Sequence, residues 1–166
     1  MVYLPKNDNQ RKYFTQIFAE EIDRQGLQLL GWRQVPVNSV HLGKIAFDNE
    51  PSIEQLFIGK PELENEKEPV TPKAFKAKLF AARKITEHRV LKSKLSERHT
   101  INLPSLSTTT IIYKGLLIPE DIRNYYKDLS SPDLVTRLAL VHQRFSTNTF
   151  PSWDLAQPFR YMCHNG

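Results

Sequence analysis

The 166 residues are 40% apolar and 25% charged with only six glycines, so the chain is apolar enough to bury a core and is neither a disordered nor a fibrous sequence. Lysine and arginine outnumber the acids by 23 to 18, and most of that excess lies in residues 73–98, where it alternates with apolar side chains as on the wet side of a helix. The lone cysteine, Cys163, excludes an internal disulfide, and no apolar run approaches the roughly 20 residues of a membrane helix, which favours a reducing, cytoplasmic setting with no membrane partner.

Met1-Val2-Tyr3-Leu4 predicts a short strand stopped by Pro5. Asp8 or Asn9 then offers an N-cap to a helix on which Phe14, Ile17, Phe18 and Ile22 recur at helical spacing, closed by Gly26 in a left-handed cap. Residues 27–37 and 53–58 read as strands of one layer, and residues 59–72 as an acidic, proline-punctuated, solvated connector. From Lys73 onward, Phe75, Leu79, Phe80, Ala82 and Ile85 predict a helix with one buried side.

Residues 105–113 are dense in threonine and isoleucine and read as a strand, with Lys114-Gly115 turning the chain. Pro119, followed by Glu120 and Asp121 against a positive dipole end, predicts a short helix to about Tyr126. Residues 134–141 read as a buried strand, and residues 159–163 as another, beyond a loop carrying Pro151, Trp153 and Pro158. Neither a glycine-rich phosphate loop nor a metal-ligand spacing occurs, so no metal is expected and His142 and His164 are read as structural.

Polar residues crowd behind the last two segments, the usual construction of a small-molecule site. Arg144 follows Leu138-Ala139-Leu140-Val141, where a planar guanidinium on a rigid strand could clamp a carboxylate, with Ser146 and Thr147 adding hydroxyls. On spacing alone, a surface ion pair explains Arg144 more economically. Asn165-Gly166 can aim an amide and a backbone N–H at one developing oxyanion, although the dipeptide is most often a turn.

Taken together, Arg144-Phe145-Ser146-Thr147-Asn148-Thr149-Phe150-Pro151-Ser152-Trp153, Phe159-Arg160-Tyr161 and His164-Asn165-Gly166 closely resemble the glutamine amidotransferase domain of glutamate synthase. Weaker matches run upstream through Gly31-Trp32-Arg33, Glu50-Pro51, Ala82-Arg83-Lys84, Ser105-Leu106-Ser107 and Tyr113-Lys114-Gly115-Leu116-Leu117. The resemblance implies an α+β fold: a four-layer αββα N-terminal-nucleophile hydrolase sandwich of antiparallel sheets, with residues 1–166 forming a partial domain incomplete at both ends.

In such a domain an N-terminal cysteine attacks the side-chain amide of glutamine with its own α-amine as base, and the thioester is hydrolysed to glutamate. The ammonia is channelled to 2-oxoglutarate for reductive glutamate synthesis. The resemblance implies that Arg144 holds the α-carboxylate, Ser146 and Thr147 line the same strip, Phe145 shapes the pocket, and Asn165 with Gly166 forms the oxyanion hole. Nothing here matches the nucleophile. Cys163 lies inside the chain with no free α-amine and is expected to be a buried, inert thiol, so the chain by itself is expected to be inactive.

No cofactor is expected in this segment; FMN and an iron–sulfur cluster are implied for the parent enzyme, with NAD(P)H or ferredoxin as electron source. The implied partners are glutamine, the remainder of the parent chain, and a small subunit or ferredoxin. Two alternatives stand: another class II amidotransferase, and a basic module gripping nucleic acid through residues 73–98. The second would betray itself by steep salt dependence, but it needs Phe75 and Phe80 as exposed stacking platforms rather than core.

Overall fold

The computed structural model describes residues 1–60, 70–145, 148 and 152–164. Alternation along the first strand, β1 (Val2–Leu4), sends Val2 and Leu4 to one side and Tyr3 to the other, and all three are fully buried, so this sheet is covered on both faces. The elements that follow are α1 (Asp8–Arg24), β2 (Gln28–Gln34), a 3-10 turn (Ser39–His41), α2 (Lys44–Asp48), β3 (Ser52–Gly59) and α3 (Pro72–Lys92). A 3-10 turn (Pro119–Asp121) then leads into α4 (Ile122–Tyr125), and a last one spans Lys127–Ser130.

The three strands form one antiparallel sheet in the order β1-β3-β2, pairing Tyr3 with Ile53 and Trp32 with Leu56. The register shifts between Leu29 and Gly31, and Gly31 takes φ 151° there, a conformation open to glycine alone without strain. This is an α+β arrangement with an antiparallel sheet, as expected.

Asn7 caps α1 one residue before the expected position, its side-chain oxygen accepting from the Asn9 and Gln10 amides at 3.1 Å each. Three consecutive residues, Asn7, Asp8 and Asn9, satisfy the cap pattern, and the extended backbone of Asn7 turns its oxygen toward both donors. Gly26, at φ 61°, ends the helix as expected. Phe14, Ile17, Phe18 and Ile22 are buried beneath the sheet with Val2, Leu4 and Leu56, each large side chain contributing about 1.5–3 kcal/mol of transfer free energy.

Thr71 caps α3, its hydroxyl accepting from the Ala74 amide at 3.2 Å, and Pro72 occupies the first turn where no amide is missed. Phe75, Leu79 and Ala82 are buried as expected, but Phe80 and Ile85 face solvent and Thr86 and Val90 take the inner side instead. The stripe 75-79-82-86-90 advances by four or three residues, and each residue beside it lies about 100° round the helix.

Among the described residues, the second face of the sheet is covered by loops and the short α4. Met1, Tyr3, Val35, Ile53, Tyr125 and Tyr126 form a separate core cluster, with Tyr113, Leu117 and Trp153 packed against it. Residues 105–113 form no strand. They fold back on themselves, with the Ile112 amide donating to the Ser105 hydroxyl at 3.1 Å and both residues buried.

Residues 134–141 and 159–163 form no strands either, and Val135, Leu138 and Val141 are each at least 80% exposed. Strand preference is realised only when a neighbouring ladder accepts the backbone, and no strand among the described residues pairs with these segments. The short helix expected after Pro119 does form. Most of the expected acidic connector, residues 61–69, lies outside the described residues. No helix among the described residues is long and apolar enough to cross a membrane.

Candidate functional site

The centre of the second cluster is a buried polar hub. The Tyr3 hydroxyl donates to Lys114 O at 2.8 Å and accepts from Lys114 N at 2.7 Å, while Tyr126 also donates to Lys114 O and lies 3.1 Å from Tyr3 across the phenols. Burial drives both phenol pKa values up, so they remain neutral donors. With its backbone N–H and C=O both held, Lys114 extends its side chain in a direction of its own.

That direction leads to the C-terminal segment. Lys114 Nζ donates to Trp153 O at 3.2 Å and to Ala156 O, and lies 5.3 Å from the centre of the Phe159 ring. The residue is buried, and burial, reinforced by the nearby Arg83 and opposed by Asp154, pushes the ammonium down to about 8. Trp153 packs edge-on against Tyr3 with ring centres 5.1 Å apart.

A second clamp closes the same segment. Gln157 Nε2 donates to His164 O at 2.6 Å and Gln157 Oε1 accepts from His164 N at 2.5 Å, and inside this loop the Phe159 amide donates to Met162 O at 2.8 Å. The Cys163 thiol, 3.6 Å from Val141 O, brings the two expected strand segments side by side. Cys163 is half-buried, not fully buried as expected, because its segment runs outside any sheet.

Of the sequence-derived site residues, Arg144 is exposed to solvent and Phe145 beside it is half-buried. Ser146, Thr147, Asn165 and Gly166 lie outside the described residues. His142 is half-buried and His164 exposed. A cleft of about 200 Å³ opens between α3 and the folded-back loop, lined by Lys76, Leu79, Arg83, Ser105, Thr110 and Arg160 among others. Arg144 does not line it, and Arg160 stacks its guanidinium 4.8 Å from the centre of the Tyr161 ring.

Lys114 and Gln157 were not singled out by their local patterns. A lysine before glycine reads as a turn, and nothing in its neighbours shows that two distant tyrosines will hold its backbone; the one available signal was its place in Tyr113-Lys114-Gly115-Leu116-Leu117.

Residues 1–166, the whole chain, match the family model for class-II glutamine amidotransferases. The chain belongs to that family. Among similar proteins, the large chain of the NADPH glutamate synthase of Bacillus subtilis is 39% identical over 167 residues, which is all of this amidotransferase chain but 10% of that protein. The NADH glutamate synthase of Saccharomyces cerevisiae is 39% identical over 170 residues, 99% of this chain and 8% of its own length. The ferredoxin-dependent glutamate synthase 1 of Arabidopsis thaliana is 36% identical over 166 residues, 100% of this chain and 10% of that protein. The amidotransferase chain thus spans about a tenth of the relatives it matches.

Proposed function

We propose that this chain is the substrate-binding part of the glutaminase domain of a glutamate synthase, where glutamine is hydrolysed to glutamate and ammonia, and the ammonia passes on to 2-oxoglutarate for reductive glutamate synthesis. The observation that carries the proposal is the family match over residues 1–166 together with the Arg144–Trp153 and His164–Gly166 motifs it contains. In this reading the domain completes as the four-layer αββα sandwich, the described sheet being one of its antiparallel sheets and the exposed apolar residues of 134–141 its next strand.

Arg144 receives the α-carboxylate of glutamine in a bidentate pair, with Ser146 and Thr147 hydrogen-bonding along the same strip and Phe145 walling the pocket. Asn165 supplies its side-chain amide, and Gly166 a backbone N–H, to the oxyanion that develops on the attacked carbonyl. Their donors cost no reorganisation at the moment of reaction if the loop carrying them is fixed beforehand, and the clamps on Trp153, Ala156 and His164 support that arrangement.

The nucleophile is a cysteine with a free α-amine, supplied from outside these residues. Cys163 is the single cysteine of the chain and its nitrogen is tied up in a peptide bond. By itself the chain therefore binds its part of the substrate and hydrolyses none. An iron–sulfur cluster needs several thiolates and this chain has one, so the cluster belongs to other parts of the parent enzyme; this reading places FMN and the NAD(P)H or ferredoxin contact there too, in a cytoplasm-like reducing compartment.

Steady-state glutaminase kinetics on the complete enzyme test the assignment. Replacing Arg144 by Ala removes a charge-assisted pair worth about 1.5–3 kcal/mol, so the glutamine KM rises roughly 10- to 100-fold, and Arg144→Lys recovers only part of it. An unchanged KM in Arg144→Ala rules out the carboxylate role.

A further inference from the structure

We infer that Lys114 is a positioning residue for the glutamine site: by holding the carbonyls of Trp153 and Ala156 it fixes the loop joining the Arg144 motif to the Asn165–Gly166 pair. The inference rests on the functional reading above and deepens it, because it assigns a role to a side chain that would touch neither glutamine nor the nucleophile.

A buried ammonium is costly unless its donors are used. Lys114 is buried beside the second cluster, its backbone held by Tyr3 and Tyr126 and its ammonium near the Phe159 ring, with Arg83 and Asp154 close enough to act on its charge. Its Nζ partners are two backbone carbonyls rather than a carboxylate. A hydrocarbon of the same length would fill the space but would leave these two carbonyls unheld.

What they hold lies between the two motifs. Trp153 ends the run that begins at Arg144, and Ala156 stands just before Gln157, whose amide in turn grips the backbone of His164 beside Asn165. One chain of contacts thus runs from the Tyr3–Tyr126 phenols through Lys114 to Trp153 and Ala156, and from Gln157 to His164. Among the described residues the segment makes no sheet ladder, so side-chain contacts hold it to the core. A loop fixed at one point on each side presents donors at set positions, and displacement of about 1 Å is enough to lose catalytic effect.

The test uses the complete enzyme carrying Lys114→Met, Lys114→Arg or Tyr126→Phe, with Arg144→Ala as reference. Hydrogen exchange is followed by mass spectrometry on the peptide covering residues 152–164, alongside glutaminase kinetics. Lys114→Met is expected to speed exchange in that peptide and to raise the glutamine KM about tenfold, the worth of one to two hydrogen bonds, with Lys114→Arg restoring most of both. Tyr126→Phe, which removes one donor to Lys114 O, is expected to do the same more weakly, and it carries the test if the methionine variant fails to fold.

Exchange that speeds up in Lys114→Met while KM and kcat both stay at the wild-type values overturns the positioning role and leaves a purely structural one. Wild-type exchange and wild-type KM together overturn the contact itself. If Arg144→Ala also leaves KM unchanged, the failure lies with the glutamine-site assignment and not with Lys114.

Discussion

Glu50 shows how a single side chain ties distant parts of this chain together. Its Oε1 accepts from Ser39 at 2.6 Å and from Tyr125 at 2.9 Å, and its Oε2 accepts from Lys6 at 3.2 Å, so one carboxylate joins three separate elements. Partial burial pushes its pKa up, but the hydrogen bonds from Ser39, Tyr125 and Lys6 and the Lys6 charge outweigh it, and the net shift is downward from 4.5. A carboxylate depressed in the folded state binds fewer protons than in the unfolded chain, so its contribution is complete above the unfolded value and is lost as pH falls through the folded one. Glu50→Gln is therefore expected to flatten the acid side of a stability-versus-pH curve below about 4.5 while changing little of its slope at neutral pH. A parallel loss at every pH, read by thermal unfolding, would show that the charge is not what matters there. Residues of this kind are poorly legible in sequence: Glu50-Pro51 stood out as a motif fragment, yet its three donors lie 11, 44 and 75 positions away.

At the scale of elements, the pairing of α1 with α3 depends on a buried charge. Glu21 is 1% exposed and accepts from Arg24 at 2.7 Å on its own helix and from Arg89 across the interface, while Arg89 also donates to Glu20 at 2.7 Å. Removing Arg89 leaves the buried carboxylate with one half-satisfied partner, and Arg89→Ala is expected to cost about 1–3 kcal/mol in chemical denaturation. Arg24 is largely exposed, so Arg24→Ala is expected to cost under about 1 kcal/mol. Equal costs for the two would mean that the interhelix pair has no special weight. These two helices, with β1, β2 and β3, were legible because each carries its own signal: a cap, a stripe or an alternation, bounded by glycine or proline. Residues 105–113, 134–141 and 159–163 carry strand composition with no partner ladder among the described residues, and composition alone does not say where a ladder will come from. The same limit applied to Phe80 and Ile85, which have the right chemistry for the core and the wrong angle on the helix.

For the molecule as a whole, one face of the sheet is closed by helices and the other by a tyrosine-rich hub that reaches, through Lys114, into the segment carrying the amidotransferase motifs. The motifs themselves were legible as a run of residues, but spacing could not say what they enclose, because Arg144 alone is as consistent with a surface ion pair and Asn165-Gly166 alone with a turn. The central claim is that the guanidinium of Arg144 and the donors of Asn165 and Gly166 face one cavity of amino-acid size. A crystal structure of the complete enzyme with its product glutamate bound tests it most directly. The account predicts two nitrogen atoms of Arg144 within about 3 Å of the α-carboxylate, with the side-chain carboxylate of the product against Asn165 and Gly166. Glutamate bound away from Arg144, or Arg144 and Asn165 opening onto separate surfaces, would contradict it.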